Sequence, residues 1–153
     1  MKLVYTTRHL LVMTAVIAII VAAATALLHG VLVKESESGE IIVGKTPYGL
    51  IQGDGDAETV RRTVLDKLHS LTVKGAFTDR DVKVVPMNIG ERCVYRIDYT
   101  RYCVKRLNLL TFRFDLDYED PRARPLNEAI SKAIQLTQEQ INAKTQGEKD
   151  PTG

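Results

Sequence analysis

Tryptophan is absent from the chain, and cysteine, histidine and phenylalanine occur only two, three and three times in 153 residues. The scarcity of cysteine and histidine closes classes of function. Cys93 and Cys103 are too few for a disulfide scaffold, and their spacing matches no zinc pattern. Neither lies near the apolar amino-terminal stretch, which excludes a lipid-modified cysteine at a signal cleavage position. His9, His29 and His69 are scattered, so no two are placed to share a metal ion, and none stands near a cysteine to activate it. No Asn-x-Ser/Thr glycosylation acceptor occurs. An excess of positive charge is missing as well. Lys2 and Arg8 are the sole charged side chains before Lys34, so 19 of the 21 basic residues remain to face 19 acidic ones. A neutral domain of this kind lacks the net basic footprint of a general nucleic-acid binder.

What the chain has in quantity is apolar sequence at its beginning. Leu10 to Leu28, LLVMTAVIAIIVAAATALL, holds no charge over nineteen residues. A helix of that length rises about 28 Å, close to the hydrocarbon thickness of a bilayer. Lys2 and Arg8 precede it, and Glu35, Glu37 and Glu40 follow it, which orients the amino terminus toward the cytoplasm. A cleaved signal peptide is the rival reading, because Ala22-Ala23-Ala24 and Ala24-Thr25-Ala26 fit the small-x-small cleavage pattern. The apolar character continues to Val33, which favours an anchor. On that reading Ala22, Ala23 and Ala26 form a smooth surface on which another membrane helix can pack.

The expected organisation is a cytoplasmic segment over 1–9, a transmembrane signal anchor over 10–33, a solvated linker over 34–40, an exported α+β domain over 41–143 and a disordered tail over 144–153. Within the domain, Ile41 to Val43 and Tyr48 to Gln52 flank a Pro-Gly turn and read as a β-hairpin or loop. Asp56 is the N-cap candidate for a helix that buries Val60, Val64, Leu68 and Leu71 and leaves His69 in solvent. Val82 to Ile89 is a strand, and Pro86 assigns it to a sheet edge. Alternation predicts further strands around Cys93 to Tyr99 and over Leu110 to Tyr118. In the latter, Leu110, Phe112, Phe114 and Leu116 should face the core while Arg113, Asp115 and Asp117 face water. A last helix runs from Leu126 to Ala143 on a stripe of Ala129, Ile130, Ala133, Ile134, Thr137 and Ile141. The fold class is therefore α+β: one transmembrane helix, then a small antiparallel-sheet domain with two helices on one face.

Helix, three strands and helix is also the order of double-stranded RNA-binding domains. Here the last helix opens on Leu126, Asn127, Glu128 and Ala129 instead of a basic run, so no nucleic acid is expected as a partner. Gly53-Asp54-Gly55-Asp56-Ala57-Glu58 stands where phosphate loops occur, yet it lacks the third glycine and carries three carboxylates. It fails as a calcium loop too, with Thr59 at the glycine position and Leu65 at that of the bidentate glutamate. Asp115 and Asp117 are two residues apart on one strand face, without the cleft that paired glycosidase acids require. No catalytic, cofactor-binding or metal-binding residue is expected.

Two arrangements stay open for the cysteines. A chain reversal between Cys93 and Cys103 would permit a disulfide; one strand through both would keep two free thiols some 33 Å apart. Arg92 and Arg96 alternate with tyrosines, and Arg113, Asp115 and Asp117 lie on the wet face of the next strand. Together these five form a candidate surface for a partner protein, with cross-strand ion pairing as the simpler explanation. The expected role is a single-pass structural or assembly subunit of a multiprotein envelope complex, of the secretion or conjugation type by architectural analogy. Its expected partners are other membrane or envelope proteins, the lipid bilayer and further copies of the chain. The alternatives are a soluble periplasmic binding protein released by cleavage, and a small membrane-anchored enzyme.

Overall fold

The structure is a computed structural model, and it describes residues 7–44 and 55–147. The expected Pro-Gly turn, the Tyr48 to Gln52 run and Gly53 and Asp54 of the acidic loop lie outside the described residues. The chain is α+β, with an apolar amino-terminal helix and a four-stranded antiparallel sheet.

Helix α1 covers Thr7–His29. Within its apolar stretch Thr14 and Thr25 satisfy their hydroxyls inside the helix, each donating to a carbonyl one turn back, Thr14 to Leu10 at 2.8 Å and Thr25 to Val21. The helix ends at Gly30, which has a φ of 69°. Strand β1 then runs Val31–Ile42. Segment 34–40, expected as a linker, is thus the middle of a strand, and the apolar helix, expected to reach Val33, stops at His29. KESESGE alternates polar side chains, which a solvent-facing strand tolerates as well as a linker does. The partner strand settles the matter, since β1 pairs along its whole length with β3, from Val31 opposite Lys105 to Ile42 opposite Val94.

Helix α2 spans Ala57–Leu71, and the Asp56 side chain caps it by accepting from the Thr59 N–H at 3.1 Å. Val60, Val64, Leu65 and Leu68 are buried on one side, and His69 is exposed. Among the described residues strand β2, Val82–Ile89, pairs only with β3, which puts Pro86 on an edge as its missing N–H requires. Strand β3, Arg92–Asn108, is the spine of the sheet. Strand β4, Arg113–Asp117, pairs with the last residues of β3. Helix α3 runs Arg124–Gly147, longer at both ends than its apolar stripe suggested, and its last turn enters the segment expected as a tail.

The two domain helices pack on each other and on the sheet around a single core. Ile41 of β1, Val82 of β2, Tyr95 and Ile97 of β3, Leu68 of α2 and Ile130 of α3 are among its members. On the edge away from β1, β2 covers β3 as far as Tyr99 and β4 covers it from Val104. The gap is closed by a side chain that imitates a strand. Asn127, buried at the start of α3, accepts from the Tyr102 N–H at 2.8 Å and donates to the Tyr102 carbonyl at 2.8 Å and to that of Tyr118 at 3.0 Å.

One expectation about the core is overturned. Leu110 is 95% exposed and Phe112 82%, and Phe114 and Leu116 are also open to solvent. Alternation identifies two faces of a strand and not which of them is covered. Here the helices cover the middle of the sheet, and the β3–β4 hairpin extends past its end.

Candidate functional site

The amino-terminal helix meets the domain at a built joint. Gly30 lies so close to β3 that an added Cβ would stand 2.6 Å from Arg106 Cγ and from Val104 Cγ1. Glycine is required there twice, for the positive φ and for the close approach. Arg122, in the turn before α3, donates from Nη2 to the His29 carbonyl at 2.8 Å, which places a guanidinium at the carboxyl end of α1. Asp120 holds that arginine, accepting from Arg122 Nε at 3.1 Å and from the Arg122 N–H at 2.9 Å. It also accepts from Arg106 Nη2 of β3 at 2.6 Å. The Arg122 guanidinium and N–H hold the Asp120 carboxyl below its ordinary value. One carboxylate therefore ties β3, the β4–α3 turn and, through Arg122, the apolar amino-terminal helix.

A second polar cluster braces β1 four residues farther along. Lys34 Nζ lies 2.8 Å from Asp81 Oδ2 and 5.4 Å from the centre of the Tyr102 ring. Asp81 accepts from the Thr78 N–H at 2.7 Å and hydroxyl at 2.8 Å, and its own carbonyl accepts from the Thr100 N–H at 2.9 Å. Burial pushes the Asp81 carboxyl up, but the Lys34 ammonium and Thr78 donors outweigh it and leave it below the ordinary range. Burial likewise lowers Lys34, and Asp81 more than reverses that.

The candidate partner surface does not converge. Arg92 begins β3 opposite Ile89, and Arg96 binds Asp98 of its own strand at 3.1 Å. Arg113 starts β4 opposite Asn108, about 40 Å along β3 from Arg96 at strand rise. Asp115 accepts from Asn108 Nδ2 at 3.1 Å, and Asp117 lies 3.7 Å from Arg106 Nη1. Cross-strand pairing is thus present between Asp117 and Arg106, whereas Arg96 and Arg101 find acids elsewhere, Arg101 with Glu37 of β1 at 2.6 Å. Recesses among these groups are shallow; one of about 480 Å³ lies over Glu37, Lys83, Arg96 and Asp98 and opens to solvent.

Cys93 and Cys103 both lie on β3, the arrangement that keeps two free thiols instead of a disulfide. Cys103 is buried, and burial together with the Glu35 carboxylate 3.9 Å away pushes its thiol up, the reverse of an activated nucleophile. Ala22 and Ala23 are exposed on α1, and Ala26 is on the same helix. Among the described residues no three His, Cys, Asp or Glu side chains are grouped to hold a metal ion.

The joint and the apolar hairpin escaped sequence reading. The signal for the joint was Gly30 directly after an apolar helix with Asp120-Pro121-Arg122 far downstream, and only the fold brings them together. Comparison of the chain with family models, with curated proteins and with solved structures finds no match.

Proposed function

We propose that the chain is a single-pass membrane protein whose exported domain is an assembly or scaffold subunit of a multiprotein envelope complex. The observation that carries this reading is α1. Its most apolar 18-residue window has a mean hydropathy of 2.7, and none of that window is covered by the rest of the chain. A helix with apolar side chains exposed all round needs lipid or other helices as its solvent. The Arg122–Asp120–Arg106 joint supports the same reading, because it fixes the helix end to the sheet instead of leaving it on a loose tether.

With Lys2 and Arg8 on the cytoplasmic side, the domain stands outside the inner membrane. Ala22 and Ala23 offer a close-packing surface to a partner helix or a second copy. The helix is continuous through Ala22 to His29, which speaks against the cleaved alternative, since a peptidase site must be extended to be cut. Val31 to Val33 no longer count against cleavage, because β1 gives them a structural use.

Extraction in mild detergent tests the assembly role. The full chain is expected to run in a complex well above its 17.1 kDa, alone or with other membrane proteins. A sharp monomer in every mild detergent contradicts it.

A further inference from the structure

The β3–β4 hairpin carries the most exposed apolar group of the domain, and its place in the register gives that group a purpose. Strand β1 begins at Val31, opposite Lys105, and β3 continues three residues farther to Asn108 before turning. The hairpin therefore projects beyond the first residue of β1, at the end of the sheet where α1 enters. At strand rise those three residues add about 10 Å, comparable with the depth of roughly 5–10 Å to which interfacial elements sink. The joint at Gly30, Arg106 and Arg122 holds helix and hairpin together at this end.

We propose that the hairpin tip, Leu109, Leu110, Phe112 and Phe114, is a second membrane contact that enters the lipid interface of the outer leaflet beside α1. This rests on α1 crossing the bilayer. The tip is shaped for outward display. Asn108 Oδ1 accepts from the N–H groups of Leu110 at 3.1 Å and Thr111 at 3.4 Å, which closes the turn. Phe112 adopts a φ of 50°, a conformation usually left to glycine or asparagine, and its ring points into solvent at 82% exposure. Leucine and phenylalanine at a loop tip are the reverse of ordinary turn chemistry.

Basic groups stand where phosphates would lie. Lys105 Nζ sits 4.6 Å from the centre of the Phe114 ring, and Arg113 opens β4 beside the tip. Apolar and aromatic groups entering the acyl boundary, with Lys and Arg at headgroup level, is the pattern of an interfacial anchor. With two attachment points the domain is held at a fixed height and rotation over the membrane, a condition for presenting one face to a complex.

The absence of tryptophan makes the test direct. Phe112→Trp, Ile89→Trp at the opposite end of β3, and Val16→Trp within α1 each give the full chain a single tryptophan, excited selectively over its six tyrosines. Each variant is reconstituted in vesicles of phosphatidylcholine and phosphatidylglycerol, with and without phosphatidylcholine brominated near the headgroup end of its acyl chains. The expected result is blue-shifted emission and strong bromine quenching for Phe112→Trp and Val16→Trp, with neither for Ile89→Trp. Leu110→Trp repeats the measurement at a position without the constraint on φ. Quenching of Val16→Trp with none at either tip position overturns the hairpin contact alone. No quenching at Val16 overturns the membrane-spanning reading with it. Blue-shifted but unquenched emission at the tip overturns lipid as the occupant and points to a second copy.

Discussion

Gly30 is the residue on which the attachment of helix to domain depends most. Placing alanine in the left-handed region costs roughly 1–2 kcal/mol in backbone energy alone. The Cβ contacts at 2.6 Å with Arg106 and Val104 add to that. Gly30→Ala is therefore expected to loosen the joint and speed proteolysis near residue 30, read by limited digestion of the detergent-solubilised chain. Asn127 makes a comparable claim inside the domain. Asn127→Ala leaves the backbone of Tyr102 without its partners and should cost about 1–3 kcal/mol in a denaturant melt. Sequence reading saw Asn127 only as the second residue of a helix; nothing local reveals that it faces a gap in a distant sheet edge.

Lys34 and Asp81 give the residue scale a pH dependence. The Asp81 carboxyl is held low, so its contribution is complete above the ordinary carboxylate range and is lost as the pH falls through its depressed value. Lys34 is held high, so its contribution is complete below the ordinary lysine range and is lost as the pH rises through its raised value. Between about pH 5 and 9 the stability difference between the chain and Asp81→Asn should be flat, and it should shrink below about pH 4. A difference that grew on acidification would contradict the pairing.

At the scale of elements, periodicity exposed the helices and the edge strand, because their burial is written in their own spacing. Val60, Val64 and Leu68 recur with the helical period, and Pro86 marks an edge by chemistry alone. Two elements were not legible. KESESGE is polar on both sides, and only pairing with β3 makes it a strand. The β4 alternation of Phe114 and Leu116 was legible, but the side covered by helices was not, since that depends on where α2 and α3 lie. The consequence is measurable. Phe112→Ala and Phe114→Ala should change stability within about 0.5 kcal/mol, as exposed positions do, whereas Ile97→Ala should cost about 2–5 kcal/mol. A cost of several kcal/mol at Phe112 would return the hairpin to the core and contradict its outward display.

For the whole molecule, the apolar amino-terminal helix was the plainest message of the sequence, and the structure adds the manner in which the domain is joined to it. An apolar helix is fixed to a sheet through Gly30, Arg122 and Asp120, at the end of the sheet that carries the apolar hairpin. The candidate partner residues Arg96 and Asp115 lie far apart on that frame, so a docking protein would engage one end of β3 or the other. The central claim is that α1 stays attached and lies in the membrane. Mass spectrometry of the amino terminus, on protein from alkali-washed membranes of expressing cells, tests this most directly. The account predicts a chain beginning at Met1 or Lys2 in that fraction; a mature protein beginning at Thr25 or Leu27, released into the soluble fraction, would contradict it.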